Sequence, residues 1–169
     1  MPSILSWQLE KTMEDYTPKY SFSAVTLKAK RYCDKAERAH KDVLSKLIRW
    51  GMNSEERDQI MMVLISENLL NEERYAEAFV NDKYRFNKWG VKKIEQALKM
   101  KGVSDRNIRD AIAKIVPAEY EDGLKELIEK RWLKTAGIPL WQRKMKVARY
   151  FISRGYESSL IWKMLEGIS

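Results

Sequence analysis

Clustered basic side chains are the residues whose types and spacing best fit a chemical task. Between positions 83 and 101 seven bases accompany one acid, and between positions 141 and 154 five bases accompany none. The twelve are Lys83, Arg85, Lys88, Lys92, Lys93, Lys99, Lys101, Arg143, Lys144, Lys146, Arg149 and Arg154. Such side chains bind phosphates, with release of condensed counterions, and also acidic grooves on proteins. Lysine-rich helix faces are often only solvated surface, but the scarcity of acids here favours binding.

Three other side chains are weaker candidates for the same surfaces. Trp89 and Trp141 each precede a basic segment and have rings that stack on bases, although aromatic residues more often cover a local core. Arg74 follows two acids, so it either contacts a ligand or pairs with a carboxylate such as Glu73 or Glu77.

Residues able to support catalysis or hold a metal are scarce. One cysteine, Cys33, and one histidine, His40, cannot form a zinc site, and a lone cysteine fits a reducing cytoplasm. None of the seven glycines lies in a phosphate-binding loop motif, and paired acids such as Glu72 and Glu73 suit helix starts. The sequence predicts no enzyme, catalytic residue, metal or cofactor. It also predicts a cytoplasmic location, because neither a secretory signal nor a long apolar run is evident.

The elements that must position the bases are helices. The 169 residues carry a net charge of +8, and 44% are hydrophobic, which is enough for a core. Apolar residues recur at spacings of three and four along nearly the whole chain, and no segment alternates as a strand does. On one such helix we expect Lys88, Lys92 and Lys99 to share a face opposite Ile94 and Leu98.

An internal repeat organises these helices. Gly51, Gly102 and Gly155 are 51 and 53 residues apart, and each has matching apolar residues eight and four positions before it and one position after it. The pattern indicates a helix ending at a left-handed glycine, an apolar residue packed on the turn, and a capped second helix. With one helix upstream of each pair, the fold class is all-α: three tandem three-helix (helix-turn-helix-like) repeats in an elongated arrangement.

The predicted boundaries are residues 1–22 for an N-terminal arm and 23–69, 70–116 and 117–169 for the three repeats. The upstream helices are expected at 23–37, 71–86 and 117–136, with Ala36 and Phe86 on their buried faces. Helix-turn-helix proteins that read DNA sequence place polar or basic residues at the start of the second helix. Acids such as Glu55 and Asp105 stand there instead, so sequence-specific recognition is the weaker hypothesis.

Three segments resemble a known bacterial family. Residues Glu67–Val80 (ENLLNEERYAEAFV) and Trp89–Val103 (WGVKKIEQALKMKGV) resemble the central repeat of RecX proteins, which bind and restrain the RecA recombinase. That repeat has an acidic turn, an Arg-aromatic-Ala step, and Gly-x-Gly-Pro before a basic helix ending in Lys-Gly. Residues Lys146–Tyr156 (KVARYFISRGY) resemble the family's last repeat. This sequence departs from the pattern near Asn87–Lys88, where a glycine is replaced, and at Val91, where proline is usual.

The resemblance spans about residues 24–168 and implies a non-enzymatic regulator built from three three-helix repeats. Such a protein would lie in the groove of the RecA–single-stranded DNA filament, contact single-stranded and possibly double-stranded DNA, and act as a monomer. It would suppress RecA ATP hydrolysis, strand exchange and co-protease activity, and so regulate DNA repair, recombination and the SOS response. Two alternatives stay open: a helical nucleic-acid-binding module independent of RecA, and a protein–protein scaffold whose charge serves solubility.

Overall fold

The chain is helical throughout the part that can be described. A computed structural model of the protein describes residues 20–168, and over that range it has nine α-helices and no strand. The first six are α1 Phe22–Asp34, α2 His40–Arg49, α3 Ser54–Ser66, α4 Glu72–Arg85, α5 Val91–Met100 and α6 Asp105–Ile112. The last three are α7 Pro117–Leu133, α8 Leu140–Ser153 and α9 Ser158–Glu166. The all-α prediction is confirmed, whereas the predicted arm lies, apart from residues 20–22, outside the described residues.

Short polar residues begin several of these helices as expected from the sequence. Asn53 and Glu56 form a reciprocal capping box at the start of α3, with both N–H···O distances at 2.9 Å. The Ser104 hydroxyl accepts from the Asn107 N–H at the start of α6, and Pro117 occupies the first turn of α7. These contacts satisfy N–H groups that a helix start leaves without an intrahelical partner.

The three repeat glycines end α2, α5 and α8 in the left-handed conformation. Their φ angles are 85° at Gly51, 76° at Gly102 and 89° at Gly155. Each following residue donates its N–H to a carbonyl five positions earlier: Met52 to Leu47 at 3.1 Å, Val103 to Leu98 at 3.2 Å and Tyr156 to Phe151 at 3.1 Å. The predicted turn is therefore confirmed in all three repeats, because this is the hydrogen bonding by which a left-handed residue closes a helix.

Contacts divide the chain after Asn71 into two compact units. The first contains α1, α2 and α3, whose buried side chains form one cluster that includes Val25, Val43, Leu47, Ile60 and Leu64. The second contains α4 to α9. Its two sets of buried residues, one on α4–α6 and one on α7–α9, include Tyr75, Ile94, Leu98, Ile108, Leu124, Ile128, Val147, Phe151, Ile161 and Leu165. The residues eight and four before each repeat glycine are all fully or nearly fully buried, as predicted.

Three placements expected from the sequence are wrong. Phe86 follows the end of α4 and is 78% exposed, and Ala36 follows the end of α1 and is also exposed. Lys88 is not on the basic helix, because α5 begins only at Val91 and Lys88 has a φ of 53° in the preceding loop. The helices end earlier than their apolar pattern suggests, so residues beyond the last turn leave the buried face.

The second and third repeats join backbone to backbone inside the second unit. The Gly90 N–H donates to the Arg154 carbonyl at 2.9 Å, and the Lys92 N–H donates to the Gly155 carbonyl at 3.0 Å. Between them the Val91 N–H donates to the Tyr120 hydroxyl at 3.2 Å. Three consecutive N–H groups at the start of α5 thus find their acceptors in the third repeat. The carbonyl-rich end of α8 faces the N–H-rich start of α5, which also pairs opposite helix-dipole charges.

Only glycines allow this approach. A Cβ atom on Gly90 would lie 2.3 Å from the backbone of Gly155 and Tyr156, and one on Gly155 would lie 2.3 Å from Cβ and 2.4 Å from N of Lys93. The atoms that would be struck are mostly backbone, so they cannot rotate out of the way. We therefore expect the joint to break or shift when either glycine gains a side chain.

Three alanine substitutions separate the steric contribution of the joint from backbone strain. Gly137→Ala adds strain only, since its φ is 86° and no atom lies within 4 Å of the new methyl group. Gly90→Ala adds the clash only, since its φ is −77°. Gly155→Ala adds both. Left-handed strain costs about 1–2 kcal/mol and overpacking about 1–3 kcal/mol. In urea denaturation we therefore expect Gly155→Ala to lower the free energy of unfolding the most of the three variants. Equal losses at Gly155 and Gly137 would contradict the joint.

Candidate functional site

Five of the twelve predicted basic residues are exposed and make no ion pair with any residue among 20–168. They are Arg85 at the end of α4, Lys88 in the next loop, Lys92 on α5, and Lys146 and Arg149 on α8. All five belong to the second unit. Because no internal carboxylate has to be displaced, these side chains are the ones that an external anion can engage at least cost.

Other predicted candidates already have internal partners. Lys83 pairs with Asp82 at 2.7 Å and lies over the Phe79 and Trp89 rings. Lys99 contacts Glu95 at 2.7 Å and Asp105 at 3.8 Å, and the hydrogen bond to Glu95 is the main reason that the Lys99 pKa is raised. These lysines are therefore less available than the charge count indicates.

Two further candidates hold the fold together. Arg143 donates to the Trp132 carbonyl at 2.7 Å and stacks on the Trp132 ring at 3.9 Å, so it fastens α8 to the end of α7. Lys93 lies over the Trp89 ring at 4.6 Å, and its backbone lies against Gly155 at the joint. Lys101 and Lys144 are half-buried, and Arg154 lies over the Tyr150 ring at 5.6 Å.

The three weaker candidates, Trp89, Trp141 and Arg74, differ in their exposure to solvent. Trp89 is half-buried between the ammonium groups of Lys83 and Lys93, which makes it part of the local packing. Trp141 is 67% exposed, so the expectation that it covers a core is wrong, and its ring is open to a partner. Arg74 is half-buried on α4, and its charge interacts within the fold.

Lys28, Arg38 and Lys46 of the first unit lie over aromatic rings. Lys28 lies 4.5 Å from the centroid of Tyr20 and 4.6 Å from that of Trp50, and Lys46 lies 4.6 Å from Tyr32. Such cation–π contacts are worth about 0.5–1 kcal/mol at exposed sites.

The sequence analysis did not single out three bases at the C-terminal end of α7. Lys130 and Arg131 on α7 and Lys134 directly after it line a cleft beside the joint, together with Lys88 and Arg154. They escaped notice because α7 also carries acids such as Glu126 and Glu129, so its linear charge is balanced. A helical-wheel analysis would have grouped the three bases, which recur at spacings of one, three and four, although Glu126 lies on the same face and pairs with Lys130 at 3.4 Å.

Tyrosines surround the joint on its buried side. The Tyr120 ring lies 5.9 Å from that of Tyr84 and 5.4 Å from that of Tyr156, and the Tyr120 hydroxyl donates to the Glu157 carboxylate at 2.8 Å. Burial, which disfavours the phenolate, raises the Tyr120 pKa well above its ordinary value, and contact with Glu157 adds to the rise. Burial also raises the Tyr156 pKa to about 12. The folded unit therefore stabilises the neutral form of Tyr120 and Tyr156 over the phenolate.

The raised tyrosine pKa values predict loss of stability at high pH. An unfolded tyrosine has a pKa near 10, so above about pH 10 the unfolded chain releases protons that folded Tyr120 and Tyr156 retain. The stabilisation is complete below that pH and is lost as pH rises toward 12, by about 1.4 kcal/mol per pH unit for each tyrosine. In urea denaturation between pH 9 and 11.5, we expect Tyr156→Phe to reduce the slope by about one such contribution. An unchanged slope would contradict the assignment.

Within residues 20–168 there is no cluster of three His, Cys, Asp or Glu side chains arranged to hold a metal ion. In the same range no helix has the length and apolar character needed to cross a membrane.

Two family models and two crystal structures of known proteins match this chain. Residues 71–112 match the family model described as the second three-helix domain of RecX, and residues 119–165 match that of its third three-helix domain. A crystal structure of RecX from Lactobacillus salivarius superposes with a TM-score of 0.78 at 22% identity, over 87% of this chain and 96% of that one. A second RecX crystal structure gives 0.75 at 23% identity, over 86% and 73%.

Curated relatives with similar sequences are also named RecX. The regulatory protein RecX of Clostridium perfringens strain 13 is 30% identical over 131 residues, which are 76% of this chain and 61% of the relative. That of Limosilactobacillus reuteri DSM 20016 is 26% identical over 129 residues, 76% and 48% respectively. The chain thus spans about half to three fifths of the length of these relatives. The two domain models together cover more than half of its residues, and the chain belongs to the RecX family of regulatory proteins.

Proposed function

We propose that this protein regulates the RecA recombinase by binding the RecA–single-stranded DNA filament through the exposed bases of its second unit. In this proposal it acts in the cytoplasm as a monomer, without catalysing a reaction, and mainly inhibits RecA ATP hydrolysis, strand exchange and co-protease activity. By doing so it regulates DNA repair, recombination and the SOS response. Membership of the RecX family supports the proposal.

The observation that carries the proposal is the set of unpaired bases described above. On α8, Lys146 and Arg149 lie on the side of the helix opposite the buried Val147 and Phe151. An exposed base that has no internal partner keeps its full charge for an external anion, and it loses little solvation at a wet interface. Several such residues on neighbouring helices suit a filament whose surface combines DNA phosphates and protein carboxylates.

Rigidity of the second unit supports an inhibitory mechanism. Because backbone hydrogen bonds join α5 to the end of α8, bases on both helices are held at fixed separations. We infer that such a unit acts as a wedge or clamp bridging neighbouring RecA subunits, which would block extension or closure of the filament. A flexible pair of repeats would lose ordering entropy on binding and would act less effectively.

The decisive experiment measures RecA ATP hydrolysis on single-stranded DNA while the protein is titrated well below the RecA concentration. We expect inhibition at a small molar fraction, because one bound molecule affects many subunits of a filament. Inhibition only at concentrations that coat the DNA would favour the RecA-independent nucleic-acid module. No effect at any ratio with the cognate RecA would contradict both.

Charge reversal tests whether the exposed bases of α8 carry the interaction. We expect Lys146→Glu/Arg149→Glu to raise the concentration for half-inhibition about tenfold, which corresponds to about 1.4 kcal/mol of lost binding. The matched control is Lys125→Glu/Lys163→Glu, which changes the net charge equally at exposed positions on α7 and α9. Equal weakening by both pairs, with circular dichroism unchanged, would show that only overall charge matters.

A further inference from the structure

The cleft beside the joint is lined by five bases and no acid. Lys130 and Arg131 come from α7 and Lys134 directly follows it, Arg154 follows α8, and Lys88 comes from the loop before α5. The cleft has a volume of about 240 Å³, and its other lining residues are apolar or aromatic. Lys130 pairs with Glu126 at 3.4 Å, whereas the other four bases make no ion pair with any described residue. These four like charges around a small space repel one another, and an anion in the cleft would relieve that repulsion.

The half-buried Arg131 has a guanidinium atom without an internal partner. Its Nε atom is buried and has no hydrogen-bond partner among the described residues. Leaving a buried donor unsatisfied is costly, so most such groups have a partner. The guanidinium lies 4.0 Å from the centroid of the Tyr150 ring, and Arg154 lies 5.6 Å from the same ring. One ring therefore orients two guanidinium groups at the cleft before any ligand arrives.

Lys88 is held in a conformation that lysine disfavours. Its φ is 53°, and within residues 20–168 the only other non-glycine residue with a positive φ is Asn68, a type that tolerates it. A glycine would adopt this conformation without strain. Strain that persists in a folded protein points to a role for the strained residue, and here the lysine side chain lines the cleft.

A neighbouring cleft indicates what kind of anion fits. It shares Lys88, Leu127 and Lys130 with the basic cleft but adds the side chains of Tyr84 and Arg85 and the carboxylates of Glu119 and Glu126. Those carboxylates disfavour a second run of phosphates, whereas a half-buried tyrosine and acidic acceptors suit a nucleobase and its N–H donors, such as the N3–H of thymine. A nucleic-acid strand that places a backbone phosphate in the basic cleft and an unpaired nucleobase in the neighbouring cleft matches both.

We propose that the basic cleft binds backbone phosphate of single-stranded nucleic acid, with Arg131 and Arg154 as the oriented donors and Lys88 and Lys134 as flanking charges. The neighbouring cleft takes an adjacent sugar and base. This deepens the DNA-contacting part of the proposed function, on which it rests, by assigning the contact to residues of α7 that the charge pattern of the sequence does not reveal.

Fluorescence anisotropy of a labelled oligothymidine, measured with the full chain and without RecA, tests the cleft. We expect Lys134→Glu to weaken binding at least fivefold and to reduce the slope of log affinity against log salt by about 0.7, the value for one single-strand phosphate. The matched control is Lys125→Glu, an equal charge change on the opposite face of α7. We expect it to weaken binding less than twofold. Equal weakening by the two variants would overturn the proposal.

Lys88→Gly removes one positive charge from the cleft without destabilising the fold, so weaker binding by this variant reports on the charge. We expect it to weaken oligothymidine binding about threefold without lowering the thermal midpoint, because glycine relieves the left-handed strain. Unchanged affinity in this variant would exclude Lys88 from the site.

Free pyrophosphate separates the two possible sources of phosphate. If pyrophosphate shifts the backbone amide NMR signals of Arg131 and Arg154 while oligothymidine leaves them unmoved, the cleft takes a free anion and the nucleic-acid proposal fails. Oligothymidine must shift them in the wild type and not in Lys134→Glu for the proposal to stand. Because RecA is absent, a failure here leaves the ATP hydrolysis experiment unaffected, and failure of that experiment leaves this result intact.

Discussion

The second unit depends on one constraint, which is that three consecutive N–H groups at the start of α5 have no acceptors in their own repeat. They are satisfied by two carbonyls at the end of α8 and by the Tyr120 hydroxyl. A buried donor without a partner is costly, so the two repeats must dock with the register that supplies all three acceptors. That register requires glycine at positions 90 and 155, and it brings the loop containing Lys88 to the cleft between α7 and α8.

The fold sorts the many basic residues into two groups with different tasks. Arg143 and Lys93 stack on tryptophans, and Lys99 pairs with acids, so these bases stabilise helix ends and loops. Lys92, Arg149 and others remain exposed and unpaired within the second unit. Net charge alone cannot distinguish the groups. The distinction comes from which aromatic or acidic side chain the tertiary structure places within reach of each base.

Local signals in the sequence predicted the architecture well. The glycine turns, the Asn53–Glu56 capping box and the buried residues eight and four before each repeat glycine depend on residues within a few positions of one another, and these are confirmed. The candidate surface was predicted less well because it depends on distant contacts. The interaction of Arg143 with Trp132 and the cleft formed by Arg131 and Arg154 bring separate helices together, and no linear charge count contains that information.

The joint between α5 and α8 also constrains how the chain folds as it is synthesised. Its backbone partners are more than sixty positions apart, since Gly90 meets Arg154 and Lys92 meets Gly155. Until the ribosome has delivered the chain beyond Gly155, these two N–H groups at the start of α5 have only water as their acceptor. The second repeat therefore emerges as a helical unit with an unfinished end, and its final stability arrives only with the third. Nascent chains stalled before and after that point would differ sharply in their resistance to proteolysis.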